Sequence, residues 1–115
     1  MDSNEIVKIA YKAADDKKGE KITVIDISNL SPIADFFMIA NGDNIRQVQA
    51  IADNVTEELN KAGLKDIRTE GFRGGSWILM DCGGVIIHIF NKEDRAFYDL
   101  ERMWSDGKFV EIGDL

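Results

Sequence analysis

The sequence predicts an α/β (α+β) domain, a mixed five-stranded sheet packed with helices, and three observations carry that prediction. Ser76 to Phe90, reading SWILMDCGGVIIHIF, holds two apolar runs joined at Gly83-Gly84, the pattern of an antiparallel hairpin with a two-residue turn. From Asp43 to Ala62 the residues Ile45, Val48, Ile51, Ala52, Val55 and Leu59 form one apolar stripe at helical spacing, followed by Gly63 as a C-terminal cap. Between and around these, strand and helix periodicities follow the order helix, strand, strand, helix, strand, strand, strand, helix.

Residues 2 to 17 open the chain as a helix, with Asp2 at the N-cap, Glu5 three residues on, and Ile6, Ile9, Ala10 and Ala13 on one face. Ile22 to Ser28 and Phe36 to Ala40 read as strands joined by a loop that holds the only proline, Pro32. That connection is too short for a parallel crossover, so the two strands are antiparallel if they are neighbours. The helix from Asp43 to Ala62 then carries the chain back across the sheet, to a third strand around Ile67 and Thr69. Arg73-Gly74-Gly75 turns this strand into the central hairpin. Gly83 and Gly84 both supply positive φ in the expected turn. Within the hairpin, Trp77, Leu79 and Asp81 share one face of the first strand and Ile86, His88 and Phe90 one face of the second. So few polar side chains predict cover on both faces, by helices or by a partner. Asn91 caps a short last helix with Glu93 and Asp94 in its first turn and Phe97, Leu100, Met103 and Trp104 as apolar positions. Arg95, Asp99 and Arg102 would form exposed ion pairs along it. Residues 1–105 make a single domain, and 106–115 an acidic, flexible tail.

With 115 residues the chain has room for one core. Its 44% hydrophobic and 30% charged residues are those of a soluble globular protein. The opening Met1-Asp2-Ser3-Asn4-Glu5 is not a signal peptide, and no apolar run suits a membrane span. The single cysteine, Cys82, makes no internal disulfide and suits a reducing cytoplasm. The net charge of −7, from 14 basic and 21 acidic residues, disfavours DNA or RNA binding through a broad basic face and draws the chain to a basic protein, or else serves only to keep it soluble.

The chemistry the residues can carry is limited. Cys82 and His88 alone are too few for a structural zinc site. No nucleophile elbow or phosphate loop is present, and nothing marks a cofactor site. A Gly-Gly-Ser turn before a strand ending in Asp81 resembles a nucleotidyltransferase arrangement, but those enzymes clamp magnesium with paired carboxylates. Here Gly83 stands where the second acid belongs. His88 reads as either a hydrogen-bonded core histidine or a partner contact, and Trp77 and Trp104 as either core or hot-spot residues.

Five segments together resemble a known family. Asp35 to Gly42 (DFFMIANG), Arg46 to Asp53 (RQVQAIAD), Trp77 to Asp81 (WILMD), Val85 to Phe90 (VIIHIF) and Arg95 to Trp104 (RAFYDLERMW) look like the Iojap family of ribosomal silencing factors. One departure is Gly84, where the family usually carries an aspartate. The resemblance implies a nucleotidyltransferase-like fold without the catalytic acids, no catalytic residues, and no cofactor. It further implies a cytoplasmic translation repressor that binds the large ribosomal subunit through universal ribosomal protein fourteen and sterically blocks the small subunit, with a link to large-subunit biogenesis. The candidate partner-binding residues are Trp77, Leu79, Met80, His88, Phe90, Tyr98, Leu100 and Trp104, with Asp81, Asp99 and Glu101 offering charge. The alternative is a nucleotide-binding enzyme of nucleotidyltransferase type. A homodimer can use the same apolar surface when the partner is absent.

Overall fold

The computed structural model describes the backbone of residues 1–115 and every side chain but that of Phe97, so the expected apolar role of Phe97 lies outside the described residues. Two helices lie on one face of an open mixed sheet, and the C-terminal segment crosses part of the other. The elements are α1 (Ser3–Asp16), β1 (Glu20–Asp26), β2 (Phe36–Gly42), α2 (Ile45–Lys61), β3 (Arg68–Glu70), β4 (Trp77–Asp81), β5 (Val85–Asn91), α3 (Lys92–Tyr98), α4 (Leu100–Met103), β6 (Lys108–Val110) and a closing 3₁₀ turn at Ile112–Asp114. The sheet order is β3-β4-β5-β2-β1-β6. β2 and β5 run parallel at its centre and the other neighbours are antiparallel.

Both long helices start as their sequences dictate. Asp2 accepts a hydrogen bond from the Glu5 amide at 2.9 Å, and Asn44 accepts one from Gln47 at 2.9 Å, so each cap satisfies an amide that has no partner inside the helix. Gly63 ends α2 in a left-handed conformation at φ +108°. The stripe Val48, Ile51, Ala52, Val55 and Leu59 packs with Ile6, Val7, Ala10 and Ala13 of α1 over Met38, Ile78, Met80, Val85, Ile87 and Ile89. This is the main core. Each fully buried aliphatic side chain in it contributes roughly 1.5–3 kcal/mol.

Three expectations need correction. The sheet has six strands, because Lys108–Val110 pairs with β1 through Val24–Val110, Ile25–Phe109 and Asp26–Lys108. The tail expected to be loose is therefore fastened, with Val110, Ile112 and Leu115 packed against the main core. The apolar residues lie between acidic ones, so the segment shows no strand periodicity in sequence. Second, the last helix is broken at Asp99, whose backbone is left-handed at φ 48°, and Asn91 holds the N-cap position of α3 without a side-chain cap bond. Third, only Gly83 of the hairpin turn has positive φ, at +87°. Gly84 packs closely instead: a Cβ there would displace the Ser3 hydroxyl, which donates to Asp35 at 2.7 Å.

Candidate functional site

Strand alternation divides the central residues between the two faces of the sheet. On the face away from α1 and α2, the register aligns Leu79 with His88 and Ile39, Asp81 with Ile86 and Phe37, and Trp77 with Phe90 and Asn41. A second, smaller core forms there from Ile25, Ile27, Ala34, Phe37, Ile39, Phe90 and Leu100, with Trp77, Ile86 and Trp104 half-buried at its margin.

Aromatic rings fill this face. Trp77 stacks on Phe90 at 5.1 Å and meets Tyr98 at 4.7 Å. Phe37 sets its ring edge to face with both His88 at 4.8 Å and Trp104 at 4.9 Å, a geometry favoured by the ring quadrupole. The indole N–H of Trp77 donates to His88 Nδ1 at 3.1 Å. His88 is only 5% exposed, and burial pushes its pKa down to about 4, so the neutral ring carries its proton on Nε2. That atom is the one buried side-chain polar atom without a hydrogen-bond partner among the described residues. Burial likewise pushes the Cys82 thiol up to about 12, which leaves it an inert small hydrophobe.

The C-terminal segment is held to the sheet by Arg95. Its guanidinium donates from Nε and Nη2 to the two carboxylate oxygens of Glu101 at 3.2 and 3.0 Å. Nη1 donates to the Lys21 carbonyl at 2.6 Å and to Asn41 Oδ1 at 2.9 Å, and Nη2 to Thr23 Oγ1 at 3.0 Å. The expected exposed ion pairs with Asp99 and Arg102 are thus replaced by a buried clamp. The fork matches the carboxylate in two parallel bonds, which an ammonium group cannot do.

The eleven expected contact residues are placed differently by the fold. Trp77, Leu79, Asp81 and Trp104 lie half-buried on the second face, and Tyr98 is 42% exposed beside them. His88, Phe90 and Leu100 lie beneath as its floor. Met80 stands apart, fully buried in the main core under the helices, because its position in β4 is out of phase with Trp77 and Leu79. Glu101 is engaged by Arg95, and Asp81 accepts from the Gly83 amide at 3.0 Å inside the hairpin turn. Asp99 forms the break between α3 and α4. The expected contact residues leave out Phe37 and Ile86, which complete the face, and Ile33; Met103, expected as an apolar helix position, is instead 73% exposed, and Ile33 is 75% exposed. For Phe37 and Ile86 the period-two alternation of β2 and β5 was the available signal. Among the described residues no group of three or more His, Cys, Asp or Glu side chains could hold a metal ion, and no helix is long and apolar enough to cross a membrane.

These features define a class: a single α+β domain with an open mixed sheet, one face sealed by helices and the other aromatic and partly covered. The family model described as "Ribosomal silencing factor during starvation" matches residues 1–115. The chain belongs to this ribosomal silencing factor family. It is 39% identical over 112 residues to the ribosomal silencing factor of Halalkalibacterium halodurans, covering 97% of this chain and 96% of that one. It is 38% identical to that of Bacillus subtilis, covering 97% and 95%. A crystal structure of a protein from Chromobacterium violaceum superposes with a TM-score of 0.88 at 39% identity, covering 91% of this chain and 88% of that one.

Proposed function

We propose that the protein is a translation repressor that docks on the large ribosomal subunit through ribosomal protein fourteen and blocks joining of the small subunit by occupying its place, without catalysis. The observation that carries this reading is the second face of the sheet. Trp77, Leu79, Tyr98 and Trp104 present aromatic and aliphatic surface over a rigid floor of His88 and Phe90, the composition of a binding hot spot. The net charge of −7 adds long-range attraction toward a basic ribosomal protein and repulsion from the surrounding RNA. The family membership supplies the ribosome as the assembly concerned. The reading places its action with the ribosome in the cytoplasm, and the same contact would serve a contribution to large-subunit maturation. A second copy can occupy the same face in the absence of the ribosome.

Co-sedimentation of the purified protein with separate large and small subunits tests the proposal. Binding to the large subunit alone, together with failure of full ribosomes to form when the small subunit is added, is the expected result. No binding at micromolar concentration, or binding that leaves subunit joining intact, overturns it.

A further inference from the structure

The loop between β3 and β4, Gly71-Phe72-Arg73-Gly74-Gly75, is fixed in place by several independent contacts. Gly71 and Gly75 have φ of +79° and +69°. A Cβ on Gly71 would meet the Trp77 carbonyl, and one on Gly75 would meet Ile45 Cγ2 in the first turn of α2. The loop is therefore pressed against both elements along a path only glycine allows. The Gly75 amide donates to the Gly71 carbonyl at 3.1 Å. From α2, the Gln49 side-chain amide donates to the carbonyls of Phe72 at 2.9 Å and of Arg73 at 3.3 Å.

The two side chains at the tip of this pinned loop are a phenylalanine and an arginine. Phe72 is 38% exposed. Arg73 is exposed and joins no salt bridge among the described residues. Arg46 is likewise exposed and without a salt bridge. It lies one residue from Ile45 and three from Gln49, the two α2 residues that touch the loop, so helical spacing brings it to the same side. Two exposed arginines thus stand on the loop and on the first turn of the helix that pins it, in a protein whose overall charge is −7, with Asp43 and Glu93 lining the cavity beside Arg46.

We propose that this loop is an RNA contact, with Phe72 stacking on an unpaired base and Arg73 and Arg46 meeting the flanking phosphates. Aromatic stacking reads any base and guanidinium groups pair with phosphate, so the combination binds single-stranded RNA without sequence preference. The proposal rests on the large-subunit reading and deepens it. The loop leads directly into Trp77, at the rim of the face assigned to the protein partner, so both contacts can be made in one docked pose. The local guanidinium pair admits RNA at one point, while the rest of the acidic surface repels it.

The test separates the two contacts by using two targets, purified large subunits and isolated ribosomal protein fourteen. Arg73→Gln, Arg73→Glu and Phe72→Ala change exposed side chains, and thermal unfolding confirms that each variant folds. Arg73→Glu is expected to bind the large subunit about tenfold more weakly, with unchanged binding to the isolated protein. For Arg73→Gln the slope of log affinity against log salt on the subunit falls by about one. A photo-crosslinking phenylalanine analogue at position 72 is expected to label ribosomal RNA. Unchanged subunit binding by the loop variants, equal loss on both targets, or crosslinks to protein only overturn the RNA contact and leave the docking face standing. If the wild-type protein binds neither target, the docking reading fails and takes this inference with it.

Discussion

The indole nitrogen of Trp77 donates to Nδ1 of His88 across β4 and β5 at 3.1 Å. This bond fixes the histidine as the Nε2–H form and leaves that proton facing a buried, apolar surround. Charging the ring would cost the Trp77 bond and the full penalty of a buried ion. The pKa of His88 in the fold, about 4, lies below its ordinary 6.5, so the unfolded chain takes up the proton first as pH falls. Stability from this group is complete above about pH 6.5 and is lost as pH drops toward 4, with a loss of about 2 kcal/mol by about pH 5. Urea unfolding of wild type and His88→Phe at several pH values checks this. The variant is expected to match or exceed wild-type stability at pH 7 and to lack this part of the pH dependence. Parallel curves for the two proteins would refute the assignment.

Leu79 sits on the open face directly opposite His88, half-buried rather than part of either fully enclosed core. Leu79→Arg keeps its backbone pairing while placing a charge in the proposed contact surface. Large-subunit binding is expected to fall at least about tenfold with stability changed by about 1 kcal/mol or less. Full binding by this variant would move the contact to another part of the molecule.

Arg95 holds Glu101, Asn41, Thr23 and the Lys21 carbonyl through one guanidinium. Arg95→Ala leaves these groups partly buried without their donor and is expected to cost about 3 kcal/mol. Arg95→Lys recovers little, because an ammonium cannot reach both sides of the clamp. Denaturation gives the magnitude, and faster hydrogen exchange in α4 than in β5 would locate the loss. A lysine variant as stable as wild type would argue against the planar fork.

Gly84 and Ser3 compete for the same space, since a Cβ at position 84 would run into the serine hydroxyl. Gly84→Ala is expected to lose about 1–3 kcal/mol through crowding. Ser3→Gly in the same chain should restore most of it, giving a positive coupling in a double-mutant cycle. Additive effects would mean that the hairpin turn shifts away from α1 instead.

The sequence made the layered plan legible wherever periodicity ran long enough. The stripe of α2, the cap at Asp2 and the alternation of Trp77, Leu79 and Asp81 each appear in the fold for the reason they were visible in the chain. Elements that depend on distant partners were not legible. Lys108–Val110 is three residues long and becomes a strand only because β1 has a free edge beside it. Arg95 looked like a surface residue of an amphipathic helix, and only the tertiary packing of β1, β2 and α4 around it makes it a buried clamp. Among the candidate contact residues, Met80 was set apart by strand phase alone, a criterion available from the sequence. The loop at Phe72 read simply as a turn, because the exposure of its side chains depends on Gln49 pinning the backbone inward.

The strand order β3-β4-β5-β2-β1-β6 also sets when the molecule can assemble during its own synthesis. β1 and β2 are made early, yet the inner edge of β2 waits for Val85–Asn91 and the outer edge of β1 for Lys108–Val110. The first half of the chain has no finished sheet to fold into until residues 108–110 have been made. The pairing that completes the sheet therefore spans most of the chain, a long-range contact that forms slowly. A nascent chain stopped before residue 108 could pair β1 with β2 and β2 with β5 but would leave the outer edge of β1 bare, a ready template for another strand.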